Sequence, residues 1–238
     1  MRRYDQLIIG LFIVTALMMI IALVLALGVA PDPANLVTPA ERFAQRIFYF
    51  HVPNWWVGFL AYFIGAVAGA LYLISRKEQW DAVEISSIEI GLTFNTIGLI
   101  SGSIWARPTW NTWWTWEPRL TTAAIGWLMY VGYLMLRSAI DSPQRRARFA
   151  AVFSILAFLD VPVIFLAIHW WRTIHPVVIG GEVGQGTGGF ALGPTIQMVF
   201  FVCLAAFTVL YVTLMLVRLR TEFLAQRVEH LRQQFMFL

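Results

Sequence analysis

Charged residues and cysteine are both scarce in this sequence. Asp, Glu, Lys and Arg together make up 13% of the 238 residues, against about 25% in a soluble domain. So few charges cannot cover a water-facing surface, and lipid must therefore cover much of the protein. Cys203 is the single cysteine, which excludes an internal disulfide, a CxxC redox pair and a CxxCH haem-attachment site.

Lysine is nearly absent as well, because 16 of the 17 basic residues are arginine. The formal net charge is +4, but the arginines are scattered along the chain and form no basic patch for a nucleic acid. In a membrane protein such charges usually set the orientation of the chain in the bilayer.

Apolar residues dominate instead, since 59% of the chain is hydrophobic and the mean hydropathy is +0.71. Six segments are apolar and long enough to cross a bilayer as helices of roughly 20 residues. We predict spans at about residues 7–30, 53–75, 84–106, 120–137, 149–168 and 194–217. No linker or change of composition divides the chain, so residues 1–238 are predicted to form one all-α, polytopic membrane domain. The first run is longer than the core of a cleavable signal peptide, so we interpret it as a span.

Arginine and lysine are divided unequally between the two sides of these six spans. Twelve of the 17 fall on the side of both termini and five on the other, which predicts cytoplasmic termini. The five external residues are Arg42, Arg46, Arg107, Arg119 and Arg172. Three external loops follow, at residues 31–52, 106–119 and 169–193, and the glycines of the third predict a flexible loop.

The first external loop has the pattern of a short helix. Thr38 and Glu41 flank a proline in the spacing of a capping box. The residues that follow predict an amphipathic helix lying in the membrane interface. Its apolar face is Phe43, Ile47 and Phe50, and its polar face is Arg42, Gln45 and Arg46. Pro53 is expected to restart the chain as the second span, which leaves His51 at the joint between two helices.

Tryptophan is distributed very unevenly. Nine of the eleven tryptophans lie at the external loops, one lies at the inner boundary and one lies within a span. Five of them fall within twelve residues: Trp105, Trp110, Trp113, Trp114 and Trp116. An aromatic belt is the alternative interpretation, but a belt decorates both membrane interfaces. The nine-to-one division therefore favours an aromatic platform for a flat, apolar ligand.

Histidine follows the same distribution, since His51, His169 and His175 are external and His230 lies in the C-terminal tail. A lone interfacial histidine usually only makes hydrogen bonds, but three beside a tryptophan cluster favour metal ligation. Their spacing matches no zinc motif. Two imidazoles from distant segments, next to aromatic rings, suit a haem iron with two axial ligands.

Asp160 is a carboxylate in the middle of the fifth span, two residues before Pro162. Intramembrane acids are costly and often functional, so a proton path is one interpretation. In the other interpretation, Asp160 bonds the backbone that Pro162 loosens. Glu89, near the inner end of the third span, is expected to reach the cytoplasmic interface.

The tryptophan-rich run from 105 to 121, with the sequence WARPTWNTWWTWEPRLT, resembles the WWD motif of the haem-handling proteins of cytochrome c biogenesis. With six spans, the chain looks like the haem exporter protein C family (CcmC, also called HelC) of that superfamily. The segments around His51 and His175, FHVP and WWRTIH, are similar to the two histidine sites of the family. Asn111, Glu117 and Pro118 depart from the motif, which usually has Gly, Asp and a small residue there.

The resemblance implies haem binding at the external, periplasmic face of the bacterial cytoplasmic (inner) membrane, and no enzymatic activity. It implies delivery of haem b to a membrane-anchored haem chaperone (CcmE). It also implies association with ABC-type partners (CcmA, CcmB) and a small single-span subunit (CcmD). His51 and His175 would be the axial ligands of the iron. The other residues in contact with haem would be Trp110, Trp113, Trp114, Trp116, Glu117 and Arg119, with Arg107 and Arg172 as further candidates for the propionates.

His169 is expected to anchor the chain at the interface rather than to bind iron. It lies six residues before His175, so on a helix the two side chains would differ by ~240° and could not share a face.

Two other functions compete with haem delivery. A transporter that carries haem across the bilayer would need ligating groups along a path, and only Asp160 lies deep in the predicted membrane. A membrane b-type cytochrome in quinone redox chemistry typically has its histidine pairs within the spans, whereas these histidines lie at the outer ends.

Overall fold

A computed structural model of the chain describes residues 2–33, 36, 38–171, 175 and 193–236, and all regular secondary structure in these ranges is helical. Its α-helices are α1 (Arg2–Val24), α2 (Pro39–Gln45), α3 (Phe48–Ser75), α4 (Glu78–Trp110), α5 (Pro118–Ser138), α6 (Pro143–Phe158), α7 (Asp160–Trp170) and α8 (Pro194–Met236). A π-helical turn, Leu25–Val29, continues α1. The glycine-rich loop predicted after α7 lies almost entirely outside the described residues.

Within the described part of the chain, five helical stretches are long and apolar enough to cross a membrane. They are Tyr4–Val29, Pro39–Ser75, Glu78–Trp110, Pro143–Ala167 and Pro194–Val228. The 21 residues of α5 form about 31 Å of helix, with Arg119 and Arg137 near its two ends. That length matches the ~30 Å of a hydrocarbon core, although Thr, Gly and Tyr dilute its hydropathy, so α5 is long enough for the sixth predicted span. The predicted all-helical, polytopic fold is confirmed.

Most helices extend beyond the predicted spans, because hydropathy marks where lipid begins and not where a helix ends. α4 starts at Glu78 and ends at Trp110, rather than at 84 and 106. It stops where Asn111 adopts a φ of 56°, a left-handed conformation that Asn tolerates better than most residues. This tolerance explains how Asn stands where the motif usually has Gly. α8 continues to Met236, well beyond the predicted end of the sixth span at residue 217.

The capping box predicted before α2 is confirmed, but one residue of the predicted polar face of α2 is buried. Thr38 Oγ1 accepts from the Glu41 backbone N–H at 3.2 Å, and Glu41 Oε2 accepts from the Thr38 backbone N–H at 2.9 Å. Gln45, predicted on the polar face, is 1% exposed, whereas Phe43 of the predicted apolar face is 81% exposed. A helix at the membrane surface turns its apolar face toward lipid, so the exposure of Phe43 agrees with the prediction and the burial of Gln45 departs from it.

The predicted joint between two helices at His51 is also wrong. α3 begins at Phe48 and continues without interruption through Pro53. A proline this close to a helix start removes one backbone hydrogen bond, and the side-chain amide of Asn54 donates to the Phe50 carbonyl at 2.7 Å. The chain turns instead at Arg46 and Ile47, so His51 lies in the first turn of α3.

The predicted fifth span is divided into two helices. α6 ends at Phe158, and α7 begins at Asp160 with Pro162 in its first turn. Asp160 Oδ2 is buried and has no hydrogen-bond partner among the described residues. It lies against Gly126 of α5, where an added Cβ would collide with it. This oxygen therefore faces α5 rather than the backbone before Pro162, and the proton path stays a prediction.

α3 packs against α4, α6 and α8. Small residues allow these helices to approach closely, because a Cβ added at Gly69 of α3 would lie 3.2 Å from the Ala151 backbone of α6. Ser87 of α4 donates to the Ala61 carbonyl of α3 at 2.7 Å and lies 2.8 Å from the Tyr211 hydroxyl of α8. Close backbone contacts and buried hydroxyl hydrogen bonds thus hold α3 against α4, α6 and α8.

A buried ion pair joins α4 and α5 at the end of the bundle opposite the tryptophan run. The Arg137 guanidinium donates to both carboxylate oxygens of Asp81, at 2.6 and 3.0 Å, and both residues are 8% exposed. The Tyr133 hydroxyl accepts a further, longer bond of 3.4 Å from Arg137. The pair connects the two helices that flank the tryptophan run.

Candidate binding site

Residues 105–119 and the helix ends around them form the tryptophan-rich end of the bundle. A cavity opens at this end. It encloses about 1340 Å³ of empty space, including the solvent at its mouth. Side chains of α3, α4, α5, α7 and α8 contribute to its wall. Six of the eight residues predicted to contact a ligand line it, namely His51, His175, Trp110, Trp113, Trp114 and Arg119.

His51 reaches this cavity from the first turn of α3 and is 6% exposed. Its ring stands edge-on to Trp105 and Trp55, with ring centroids 5.7 and 6.4 Å away. Because α3 and α4 pack along much of their length, the imidazole is held between two helices and has little freedom to reorient.

His175 reaches the same cavity from the segment after α7. Its Nδ1 lies 3.5 Å from Glu117 Oε1, and its ring centroid lies 5.7 Å from that of Trp110. Burial lowers the pKa of His175 below its usual value, the nearby Glu117 carboxylate opposes this, and the charge of Arg119 lowers the pKa further. The net effect favours neutral imidazole, which is the form that binds a metal ion. Glu117 itself does not line the cavity but contacts one of its histidines.

Tryptophan side chains form much of the cavity wall. Trp55 and Trp56 of α3 and Trp105 of α4 join the three predicted tryptophans there. Trp116 does not line the cavity, since it is 77% exposed and its ring packs edge-on against Trp114 at 5.7 Å. Trp114 Nε1 is buried without a hydrogen-bond partner among the described residues, so its N–H is available to an acceptor on a ligand.

Arg119, in the first turn of α5, brings a positive charge to the cavity. Arg107 is engaged elsewhere, because its guanidinium donates to the Asn111 backbone and side-chain oxygens at 2.7 and 3.0 Å. Arg172 and the side chain of His169 lie outside the described residues. Among the described arginines predicted to meet an anionic group, Arg119 is therefore the one that reaches the cavity.

The sequence reasoning missed the residues that make room for the rings. Gly98 and Gly102 of α4 line the cavity where the side chains of Trp55 and His51 lie against the helix. A Cβ added at Gly98 would lie 2.9 Å from the Trp55 ring, and one added at Gly102 would lie 2.7 Å from His51 Cε1. Two small residues four positions apart on an apolar helix are a recognised signal for close approach, and this spacing could have identified them.

A dedicated metal site is absent from the described part of the chain, where no group of three or more His, Cys, Asp or Glu side chains is arranged to hold an ion. Two imidazoles supply too few ligands for a structural or catalytic zinc ion. They match an iron that is already held in a planar macrocycle and needs only axial ligands. The two histidines, the aromatic walls and one arginine thus fit haem.

The bundle and its cavity define a class of protein: a multi-pass helical membrane protein with a tryptophan-walled cavity and two histidines at one end. The family model of Heme exporter protein C matches residues 1–234, and the chain belongs to this family. Membership implies haem handling in cytochrome c maturation, as a membrane component rather than an enzyme.

Named relatives agree with the family assignment. Heme exporter protein C of Bradyrhizobium diazoefficiens is 35% identical over 188 residues, which cover 79% of this chain and 70% of the relative. The protein of the same name from Haemophilus influenzae is 32% identical over 184 residues, covering 76% and 72% of the two chains. A putative cytochrome c biosynthesis ccmC-like mitochondrial protein of Marchantia polymorpha is 30% identical over 174 residues, covering 73% and 70%.

Proposed function

We propose that this protein holds haem b at the external face of the bacterial cytoplasmic membrane and delivers it to a membrane-anchored haem chaperone. The observation that carries this proposal is that His51 and His175, from distant segments, line one cavity walled by tryptophans. When bound, haem supplies an iron with two open axial positions, and the two imidazoles would fill them.

The side chains around the histidines have distinct roles in this proposal. Glu117 beside His175 Nδ1 orients the imidazole and strengthens it as a ligand. Arg119 would bind a haem propionate by a charge-assisted hydrogen bond, and the buried Trp114 N–H would offer a second donor. The indole rings would cover the faces and edges of the macrocycle and exclude water.

Delivery requires that a partner can reach the bound haem. Trp113 is 57% exposed although it lines the cavity, and Trp116 is 77% exposed beside it. Large aromatic side chains exposed next to a ligand site are typical of a surface that a partner covers. We assign this surface to the chaperone (CcmE), and we propose the ABC-type partners (CcmA, CcmB) and the small subunit (CcmD) as further components of the assembly.

The proposed orientation predicts the outcome of reporter fusions. Because twelve of 17 basic residues lie on the side of the termini, fusions after residues 78, 143 and 230 should behave as cytoplasmic. Fusions after residues 40, 112 and 182 should behave as external. A cytoplasmic signal from the fusion after residue 112 would contradict the topology and the external haem site.

The tryptophans provide the test of the proposed function. Replacing both Trp113 and Trp114 by Leu keeps interfacial hydrophobicity but removes flat aromatic surface from the cavity. Aromatic stacking contributes roughly 0.5–1.5 kcal/mol per ring pair, so the double variant should hold haem about tenfold more weakly. The measurements are haem per purified protein, from its absorption spectrum, and the amount of haem covalently attached to the chaperone on co-expression.

Trp170 and Trp171 form a matched control. They are 58% and 50% exposed and do not line the cavity. The corresponding double Leu variant should insert normally and keep both haem content and transfer. Equal losses in the two double variants would favour an aromatic belt, and normal transfer from the Trp113 and Trp114 variant would contradict the platform.

A further inference from the structure

The His51 imidazole packs closely against helix α4. Ser101 and Gly102 face the ring, and a Cβ at Gly102 would come within 2.7 Å of His51 Cε1. On its other sides the ring meets Trp105 and Trp55. The ring plane is therefore determined by contacts with α4 and with the neighbouring indoles, before any ligand binds.

The hydrogen bonds around His51 favour one position for the hydrogen of the neutral ring. His51 Nδ1 lies 3.0 Å from Ser101 Oγ. The Ser101 hydroxyl has one hydrogen, and it donates that hydrogen to the Gly98 carbonyl at 3.1 Å. With that hydrogen on the Gly98 carbonyl, Ser101 Oγ accepts from the imidazole, which places the hydrogen of the neutral ring on Nδ1. Nε2 then keeps its lone pair, which is the form of nitrogen that binds a metal ion.

We propose that Ser101 is a positioning residue that holds His51 in the Nδ1–H tautomer, so that Nε2 is the nitrogen presented to the haem iron. The inference rests on the proposed function and deepens it. A metal-binding histidine usually donates its other ring N–H to an oxygen, which fixes its orientation and raises its basicity. Ser101 supplies that oxygen to His51, as Glu117 does near His175 Nδ1.

The first test needs no haem. The chain contains four histidines, so nitrogen-15-labelled histidine gives few signals, and the His51→Ala variant identifies that of His51. In the haem-free, full-length protein, the His51 signals should be those of the Nδ1–H tautomer. In the Ser101→Ala variant they should shift to a mixture of tautomers, and in the Ser101→Thr variant, which keeps a hydroxyl, they should return to the wild-type pattern. An Nε2–H tautomer in the wild-type protein overturns the inference.

The second test uses haem as the probe. Loss of the hydrogen-bond partner of a metal-binding histidine typically costs about 10–100-fold in metal affinity, so Ser101→Ala should weaken haem binding by at least about tenfold. The weaker imidazole donor should also stabilise ferric iron less, which raises the reduction potential of the bound haem. Ser101→Thr should restore both values.

Thr93 of the same helix is the matched control, since its exposed hydroxyl donates only to the Glu89 carbonyl at 2.9 Å. Thr93→Ala should leave haem affinity and reduction potential unchanged. If Ser101→Ala behaves like Thr93→Ala, Ser101 has no positioning role, even where haem binding itself is normal. If the tautomer is as expected but His51→Ala keeps the wild-type haem spectrum, the proposed function fails instead, and with it the role of Ser101 toward iron.

Discussion

Alanine at His51 or at His175 should remove most of the bound haem or change its absorption spectrum to that of a singly ligated iron. Each substitution deletes one of the two imidazoles that line the cavity. Loss of a direct ligand should lower haem affinity by more than the roughly 10–100-fold that loss of a ligand's hydrogen-bond partner costs. The measurement is the haem spectrum and haem content of each purified variant.

Added imidazole should partly restore the spectrum of the His51→Ala variant. The wild-type ring is 6% exposed and is enclosed by Ser101, Gly102 and Trp105. Its removal leaves a ring-shaped space in which free imidazole can bind next to the iron. His169→Ala is the control and should leave the spectrum near normal. Loss of the haem spectrum in His169→Ala but not in His175→Ala would contradict the assignment of the axial ligands.

The second large effect is expected on stability and not on haem chemistry. Asp81→Ala leaves the Arg137 guanidinium 8% exposed and without its carboxylate, in the contact between α4 and α5. Breaking a buried ion pair on one side typically costs about 3–5 kcal/mol, because an unpaired charge stays buried. We expect a large fall in the temperature at which the detergent-solubilised protein unfolds, measured by circular dichroism or by aggregation.

Two comparisons separate charge burial from a general loss of packing. Replacing Arg137 by Met in the Asp81→Ala background removes the unpaired, buried guanidinium charge. The double variant should therefore recover much of the lost stability. Asp5→Ala breaks the exposed pair with Arg220, whose side chains are 43% and 39% exposed, and should cost at most about 1 kcal/mol. Equal destabilisation by Asp81→Ala and Asp5→Ala would contradict the importance of burial.

The departures of this chain from the usual motif have structural explanations that depend on the fold. Asn111 ends α4 in a left-handed conformation, a position where Asn can replace Gly. Glu117 lies just before α5 and extends its carboxylate to within 3.5 Å of His175. A change from Asp to Glu keeps the charge and adds one methylene, so the role of a carboxylate partner for histidine can persist.

Local chemistry was enough to predict the helical membrane fold and the capping box at Thr38. Both depend on neighbours in sequence: apolar runs long enough to span, and a Thr and a Glu three positions apart. The six predicted residues that line the cavity came from the resemblance of the tryptophan-rich and histidine segments to the family. The orientation rests on local charge and the axial ligands rest on the resemblance, and the experiments above test both.

Tertiary structure alone decided the features that arise where distant segments meet. The exposure of Phe43 and the burial of Gln45 depend on what packs against α2, and the exclusion of Trp116 from the cavity depends on how the loop folds back on Trp114. The pairing of His51 with Ser101 joins residues fifty positions apart on two helices. Hydropathy and capping patterns carry no information about such contacts, because the energy of a buried hydrogen bond or ring contact depends on which helix faces which.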